Sequence, residues 1–231
     1  MIGIICALSI EVEGLTKLLE NKKEETYAKM KYVSGTINGK EIVMTECGIG
    51  KVNAAMSTQV MIDKYNPDVI INSGIAGSIS RELKIGDIVI SKDCVQHDFD
   101  GTQMGDPKGL IQYNDETRID IPVSETVAEK LFKACENLEN SNVKIGRIAT
   151  GDIFVAHKEM RQSIADEFSA LACEMEGGAV AQVCYRNSVE CAILRCISDD
   201  FDENQFMDFM EFRFLAADKS IAAIKNFLQM C

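Results

Sequence analysis

Apolar runs of strand length alternate with helix-like repeats along this chain, and no other feature of the sequence constrains its fold as much. Residues 170–174 and 189–198 are almost continuously apolar, which is typical of strands buried on both faces of a sheet. Residues 52–65 instead place apolar side chains at helical spacing. The alternation predicts an α/β fold with three layers, α/β/α, around a mixed and mostly buried central sheet. The predicted strands are residues 2–7, 41–45, 68–72, 86–91, 143–150, 170–174 and 189–198, and the predicted helices are 52–65, 123–137, 157–168, 175–186 and 206–230.

The chain is expected to form one domain, residues 1–231. A length of 231 residues suits a single α/β domain. None of the three prolines, Pro67, Pro107 and Pro122, lies in a linker-like segment. No internal repeat or low-complexity tract divides the sequence.

The charge balance excludes several classes of partner. The formal net charge is −12, so the chain offers no basic surface for nucleic-acid phosphates or for an anionic membrane. No apolar run approaches the ~18–20 residues of a membrane span, and the apolar start lacks the positive region of a signal peptide. The nine cysteines lie mostly in apolar runs and form no Cys-x-x-Cys pair. This is typical of reduced thiols, and we expect a cytoplasmic protein.

Carboxylates follow three of the apolar runs. Glu11 comes just past the first predicted strand, Glu174 and Glu176 end another, and Asp199 ends the last. Ligands of α/β folds bind at the carboxyl ends of strands. Arg195 and Asp199 lie four residues apart on one strand, so they are expected to share a face and could form an ion pair. Two carboxylates in different environments can act as general acid and general base, a division that suits cleavage of a glycosidic bond.

Other motifs give weaker signals. The segment Gly48-Ile49-Gly50-Lys51 lacks the spacing of a phosphate-binding loop, and two interpretations stay open, a tight turn or backbone N–H groups directed at a ligand. Only two histidines are present, so neither a histidine metal site nor a Ser-His-Asp triad is supported. We interpret His97 and Asp98 as a hydrogen-bonded loop pair, with a catalytic dyad as the alternative.

One long segment, residues 96–122, shows no periodicity. It is polar but also holds Phe99, Leu110 and Tyr113. Long loops of this kind in compact domains are usually functional or disordered. We expect an ordered loop at a subunit interface or over a pocket.

Taken with these motifs, the chain resembles the 5′-methylthioadenosine/S-adenosylhomocysteine nucleosidases of the nucleoside phosphorylase superfamily. The resemblance runs from Ile2 to about Leu228. It is carried by Gly3-Ile4-Ile5, Ala7-Leu8 and Glu11, by Gly48-Ile49-Gly50-Lys51-Val52-Asn53-Ala54-Ala55, by Pro67-Asp68-Val69-Ile70-Ile71-Asn72 and Gly86-Asp87-Ile88-Val89, and by Gly151-Asp152 with Phe154, Glu174-Met175-Glu176, and Arg195 with Ile197-Ser198-Asp199.

The resemblance implies a role for each residue at the sugar of a nucleoside. Glu11 would activate a water for attack on the anomeric carbon, and Arg195 would help to hold that water. Glu176, with Met175 and Glu174, would bind the ribose hydroxyls, and Glu176 would face the developing oxocarbenium charge.

It also implies roles at the base and at the 5′ substituent. Asp199 would protonate adenine N7, and the neighbouring Asp200 would encourage Asp199 to keep that proton. Phe154 would stack on adenine, and the Val155 backbone would contact its Watson–Crick edge. The remaining implied substrate-binding residues are Ala76, Gly77 and Ser198 around the base, and Ile49 and Phe209 at an apolar 5′ pocket.

The implied activity is hydrolysis of the N-glycosidic bond of 5′-methylthioadenosine, S-adenosylhomocysteine and 5′-deoxyadenosine, without cofactor or metal, by a homodimer. A purine nucleoside phosphorylase, an aminodeoxyfutalosine hydrolase and a non-catalytic nucleoside sensor on the same fold are the alternatives. Two features depart from the family pattern, namely Ile75 in place of a small polar residue and the acidic segment 198–203.

Overall fold

The structure, a computed structural model, describes residues 1–201 and 205–230, without the side chains of 205–208. The main strands are β1 (Ile2–Cys6), β2 (Glu20–Tyr27), β3 (Met30–Ile37), β4 (Lys40–Glu46), β5 (Val69–Ser78), β6 (Ile88–Gln96), β10 (Val143–Thr150), β11 (Ala172–Glu174) and β12 (Glu190–Asp199), with short strands β7 (Ile111–Gln112), β8 (Thr117–Arg118) and β9 (Ile121–Pro122). The helices are α1 (Ser9–Thr16), α2 (Lys51–Tyr65), α3 (Glu125–Cys135), α4 (Lys158–Phe168), α5 (Gly177–Asn187) and α6 (Gln205–Met230), with a 3₁₀ turn at Thr102–Met104.

A mixed sheet in the order β11-β10-β6-β12-β5-β1-β4-β3-β2 forms the centre of the molecule. Strand β12 runs parallel to β5 and antiparallel to β6. Strand β11 also pairs with β5, so the strands β11-β10-β6-β12-β5 close on one another. The closure gathers the ends of β5, β11 and β12 around one point, where the carboxylates predicted from the sequence lie.

Helices cover both faces of the sheet, as the sequence predicts. One apolar cluster joins alternate strand residues such as Ile4 and Leu194 to helices α1, α3 and α6. A second cluster joins the next residues along, Ile5 and Ile193, to α2 and α5. Because successive residues of β1 and β12 enter opposite clusters, these strands are buried on both faces, which explains their continuous apolar sequence.

Several elements differ from the sequence-based prediction. Strands β2 and β3 and helix α1 were not predicted, and β5 continues to Ser78 rather than ending at residue 72. Glu11 therefore lies in the first turn of α1. Strand β2 is exposed along most of its length and pairs only with β3, so its charged sequence belongs to an edge strand.

The segment after β6 packs against the domain. Ile111 and Ile121 are buried in the second cluster, and Tyr113 packs beside them. Phe99 and Met104 remain exposed, Met104 with 80% of its surface accessible. Within the described ranges, no helix combines the length and hydropathy that crossing a membrane requires. Of the acidic segment noted above, Asp202 and Glu203 lie outside the described residues.

Candidate active site

A cavity of about 110 Å³, open to solvent, lies at the strand ends where β5, β11 and β12 meet. With the exception of Arg195, all the residues predicted to form the site line this cavity. They are Glu11, Ile49, Ala76, Gly77, Phe154, Val155, Glu174, Met175, Glu176, Ser198, Asp199 and Phe209.

Glu11 is held by three backbone N–H groups. Its Oε2 accepts from Ala7 N and Leu8 N, both at 2.9 Å, and its Oε1 accepts from Ile75 N at 3.1 Å. A Cβ at residue 74 would lie 2.9 Å from Oε1, so Gly74 leaves the room that this carboxylate needs. Burial raises the pKa of Glu11, and the backbone hydrogen bonds and Arg195 oppose that rise. A carboxylate that is oriented but incompletely stabilised is suited to accept a proton.

Arg195 lies behind the cavity and binds Glu174. Its Nε and Nη2 donate to Glu174 Oε2, its Nη1 donates to Asn72 O and Leu194 O, and its Nη2 also donates to Asn72 Oδ1. All five guanidinium N–H groups are thereby used. In this arrangement Arg195 has no N–H left for a water, so the predicted help in holding the attacking water would act through the carboxylates. Arg195 instead supplies positive charge beneath the carboxylates.

Glu174 is occupied mainly by the protein. Besides Arg195, its Oε2 accepts from Glu176 N at 3.0 Å and Gly177 N at 2.6 Å. Its Oε1 accepts from the hydroxyl of Thr150. These contacts fix the turn between β11 and α5, so Glu174 orients the residues that follow it.

Glu176 is held at the N-terminus of α2. Its Oε1 accepts from Gly50 N at 2.8 Å, and its Oε2 lies 4.0 Å from Arg195 Nη2. In the Gly48–Lys51 segment, the backbone N–H of Gly50 is thus directed at a carboxylate of the site, whereas that of Lys51 donates to Asp152. Burial, followed by the charge of Glu174, raises the pKa of Glu176 to about 7. Glu11, Glu174 and Glu176 form a carboxylate cluster that faces one guanidinium.

Asp199, at the other end of the cavity, forms a buried ion pair with Arg161. Arg161 Nη2 donates to Asp199 Oδ2, and Ser198 Oγ donates to Oδ1 at 2.8 Å. Both charged side chains are almost fully buried. A Cβ at residue 77 would lie 2.9 Å from Asp199 Oδ2 and 3.0 Å from Arg161 Nη2, so Gly77 makes room for the pair.

One expectation about Asp199 is wrong. Its ion-pair partner is Arg161 and not Arg195, because a bulge in β12 between Ile197 and Asp199 breaks the two-residue alternation that would have placed residues 195 and 199 on one face. The charged side chain that contacts Asp199 is the Arg161 guanidinium.

Aromatic and apolar side chains form the mouth of the cavity. The rings of Phe154 and Phe209 meet edge to face, with centroids 5.6 Å apart. Ile49 is 55% exposed beside them. Val155 is buried, and its carbonyl accepts from Arg161 Nε at 3.0 Å, which leaves one lone pair of that oxygen for a ligand.

His97 and Asp98 do not form the expected pair. Asp98 binds Lys51 Nζ at 2.6 Å and Asp152 N at 2.9 Å. His97 is buried beside Gly151, its Nε2 has no hydrogen-bond partner, and burial lowers its pKa. Neither residue lines the cavity, so the catalytic-dyad alternative is not supported.

Sequence reasoning missed several residues of the cavity wall, of which Arg161 matters most. The others are Ala7, Leu8, Ile75, Ile153 and Cys173. Arg161 could have been found, because it shares the buried face of α4 with Ile164 and Phe168, three and seven residues later. A charged residue on the apolar face of a helix requires a buried partner.

Comparisons with known proteins agree with this geometry. Residues 1–229 match the model of the phosphorylase superfamily. A Staphylococcus haemolyticus protein named 5′-methylthioadenosine/S-adenosylhomocysteine nucleosidase is 38% identical over 234 residues, covering 100% of both chains. A protein of the same name from Shewanella halifaxensis is 40% identical, covering 91% of both.

Solved structures of related enzymes also share the fold of this chain. A mutant nucleosidase from Helicobacter pylori with 5′-methylthioadenosine in its active site has a TM-score of 0.93 at 33% identity, covering 100% of this chain and 98% of its own. The futalosine hydrolase of Helicobacter pylori has a TM-score of 0.92 at 35% identity, covering 100% and 97%. Fold and match together place this protein in the phosphorylase superfamily. Within that class, its full-length relatives show that the chain belongs to the 5′-methylthioadenosine/S-adenosylhomocysteine nucleosidase family.

Proposed function

We propose that this protein hydrolyses the N-glycosidic bond of 5′-methylthioadenosine, S-adenosylhomocysteine and 5′-deoxyadenosine, releasing adenine and the 5′-substituted ribose. The observation that carries the proposal is the shared cavity, which has Glu11 and Glu176 at one end and Asp199 at the other. This arrangement suits a reaction that needs an acid at the leaving base and carboxylates at the sugar.

At the sugar, Glu11 accepts a proton from the attacking water and Glu176 binds the ribose hydroxyls. The negative charge of Glu176 stabilises the oxocarbenium ion as it forms. Met175 packs against the sugar. Glu174 and Arg195 orient these groups from behind.

At the base, Asp199 in its acid form donates a proton to adenine N7 and makes adenine a neutral leaving group. A positioned acid of this kind contributes typically ~10²–10⁴-fold to the rate. Phe154 stacks on the base, and the Val155 backbone contacts its Watson–Crick edge. Further contacts come from Ala76, Gly77 and Ser198 around the base, and from Ile49 and Phe209 at the 5′ substituent.

Charge favours water over phosphate as the nucleophile. Three carboxylates face one guanidinium in this half of the cavity, and every N–H of that guanidinium is already used. A phosphate there would meet net negative charge and would gain no donor from Arg195. A phosphorylase on the same superfamily fold is therefore the weaker proposal.

An aminodeoxyfutalosine hydrolase is the second candidate. Its support is the likeness to the Helicobacter pylori futalosine hydrolase. The two substrates carry the same adenine and differ at the 5′ position. The apolar side chains of Ile49 and Phe209 at the mouth favour a thioether there.

We further propose that the protein works as a cytoplasmic homodimer. The exposed apolar side chains of Val52 and Met56 on α2 and of Phe99 and Met104 in the segment after β6 support an interface. Eight buried cysteines are free thiols, which suits a reducing compartment. Light scattering should give a mass of two chains at micromolar concentration, and a mass of one chain would contradict the dimer.

The activity is tested by incubating the purified protein with the three proposed substrates and with aminodeoxyfutalosine, with and without phosphate, and by measuring free adenine and the sugar product. We expect adenine and unphosphorylated 5′-methylthioribose from 5′-methylthioadenosine, without dependence on phosphate. Asp199→Asn should lose at least about 100-fold in kcat, whereas the surface control Asp166→Asn should retain activity. A ribose 1-phosphate product would overturn the hydrolase assignment, and exclusive use of aminodeoxyfutalosine would overturn the substrate assignment.

A further inference from the structure

Arg161 connects three backbone segments around the Asp199 end of the cavity. Its Nη1 donates to Ser78 O at the end of β5, at 2.8 Å, and to Asp200 O beyond β12, at 2.6 Å. Its Nε donates to Val155 O, at 3.0 Å. The side chain is 1% exposed, so its charge is balanced within the protein, by Asp199.

Each carboxylate oxygen of Asp199 accepts from a hydrogen-bond donor. Oδ2 accepts from the Arg161 guanidinium and Oδ1 accepts from the Ser198 hydroxyl. The neighbouring titratable groups among the described residues include Asp200 beside Asp199 on the chain, Cys173 on β11, and Arg81, whose guanidinium lies over the ring of Phe201. Burial raises the pKa of the Cys173 thiol to about 12, so this thiol is neutral. Among the described residues, the positive charge in contact with Asp199 is the Arg161 guanidinium, and two donors fix the carboxylate.

This arrangement is at odds with the task proposed for Asp199, because an acid that protonates N7 must carry a proton. We propose that Arg161 is a positioning residue that holds Asp199 as a carboxylate in the free enzyme, so that binding of an adenine whose N7 accepts a hydrogen bond is coupled to uptake of one proton by Asp199. This inference rests on the proposed function.

The proton balance of the cycle is closed. A proton from solvent adds to Asp199 as the nucleoside binds, and the resulting O–H donates to N7. Cleavage of the C1′–N9 bond leaves its electron pair on the base, the Asp199 proton moves to N7, and adenine departs neutral. The attacking water gives its hydroxyl to C1′ and its proton to Glu11, which later releases that proton to solvent. Asp199 is a carboxylate again at the end.

The test uses two non-hydrolysable ligands that differ only in the base. Carbocyclic 5′-methylthioadenosine has an N7 that accepts a hydrogen bond, whereas its 9-deaza counterpart carries N7–H and can donate directly to a carboxylate. Titration calorimetry at pH 8 in two buffers of different ionisation enthalpy gives the number of protons taken up with each ligand. Because the two ligands share the sugar end, contributions from Glu11 and Glu176 cancel in the difference.

For the wild type, we expect binding of carbocyclic 5′-methylthioadenosine to take up about one proton more than binding of its 9-deaza counterpart. A full change in the protonation of one group requires this difference. Arg161→Gln removes the charge, so Asp199 should already be protonated in much of the free protein, and the difference should fall below about half a proton. In the same variant, the ratio of the dissociation constants of the two ligands should shift by at least about tenfold against the N7–H ligand. Arg161→Lys keeps the charge and should keep most of the difference.

Equal proton uptake with the two ligands in the wild type would overturn the inference, and so would an unchanged difference in folded Arg161→Gln. If that variant does not fold, the wild-type pair of titrations and Arg161→Lys still decide the question. Adenine release by the wild type is measured in parallel. Release without differential uptake refutes the role of Arg161 alone, whereas absence of release with every adenine nucleoside refutes the proposed function.

Discussion

The buried carboxyl of Glu176 predicts that the protein loses stability as the pH rises. Its pKa is raised from an ordinary value of 4.5 to about 7, by burial first and by Glu174 second. Between those two values the folded protein keeps a proton that the unfolded chain has released. The stabilising contribution is therefore fully present below pH 4.5 and is lost as the pH rises through about 7.

The magnitude follows from the two pKa values. Each pKa unit corresponds to about 1.4 kcal/mol, so the ionised group costs about 3 kcal/mol once the pH is well above 7. Part of that cost is already present at pH 5.5. The change in the free energy of unfolding between pH 5.5 and pH 8 that Glu176 causes is thus about 2 kcal/mol.

Urea unfolding at both pH values, at one protein concentration, measures this change. The wild type and Glu176→Gln are compared, because the amide can still accept from Gly50 N but cannot ionise. Glu129→Gln, on an exposed position of α3, is the control and should behave as the wild type does. We expect the wild type to lose about 2 kcal/mol more than Glu176→Gln between the two pH values. If the two proteins lose the same amount within about 0.5 kcal/mol, the carboxyl is not desolvated as the structure indicates.

Three other substitutions test separate parts of the site. Glu11→Gln should lower kcat by about 100-fold or more while the carbocyclic ligand still binds, since the amide cannot accept the water's proton; near-normal turnover would exclude Glu11 as the base. Gly77→Ala places a Cβ 2.9 Å from Asp199 Oδ2. Displacement of the Arg161–Asp199 ion pair should then lower kcat/KM by about 10- to 100-fold. Unchanged kinetics would show that the ion pair tolerates movement. Glu174→Gln removes the hydrogen-bonded ion-pair partner of Arg195 and should reduce the free energy of unfolding by about 3–5 kcal/mol. A loss below about 1 kcal/mol in urea unfolding would contradict a structural role for this pair.

The strands that could be predicted are those buried on both faces. The sequences of β1 and β12 are recognisable because neither face of these strands meets water, so most of their positions are apolar. Strand β2 could not be recognised in this way. Its residues are exposed and largely charged, and only pairing with β3 at the edge of the sheet makes it a strand. Edge strands therefore depend on tertiary partners that a local pattern does not contain.

The candidate site divides in a similar way. The acids Glu11, Glu176 and Asp199 could be expected together, because they follow strands whose ends meet at one edge of the sheet. Their ion-pair partners could not, because partner choice depends on local irregularities of the backbone. An unbroken β12 would have kept Arg195 and Asp199 on one face, whereas the bulge after Ile197 separates them.

That separation gives the two ends of the cavity different electrostatics. At one end Arg195 interacts with three carboxylates, so net negative charge remains where a cationic sugar would form. At the other end Arg161 forms an ion pair with one carboxylate, so the two charges of that pair balance each other. If both guanidinium groups lay at the Glu11 end, the carboxylate cluster would lose most of its excess charge and Asp199 would be left buried without a partner. The position of a single bulge thus determines which carboxylates face Arg195 and which one pairs with Arg161.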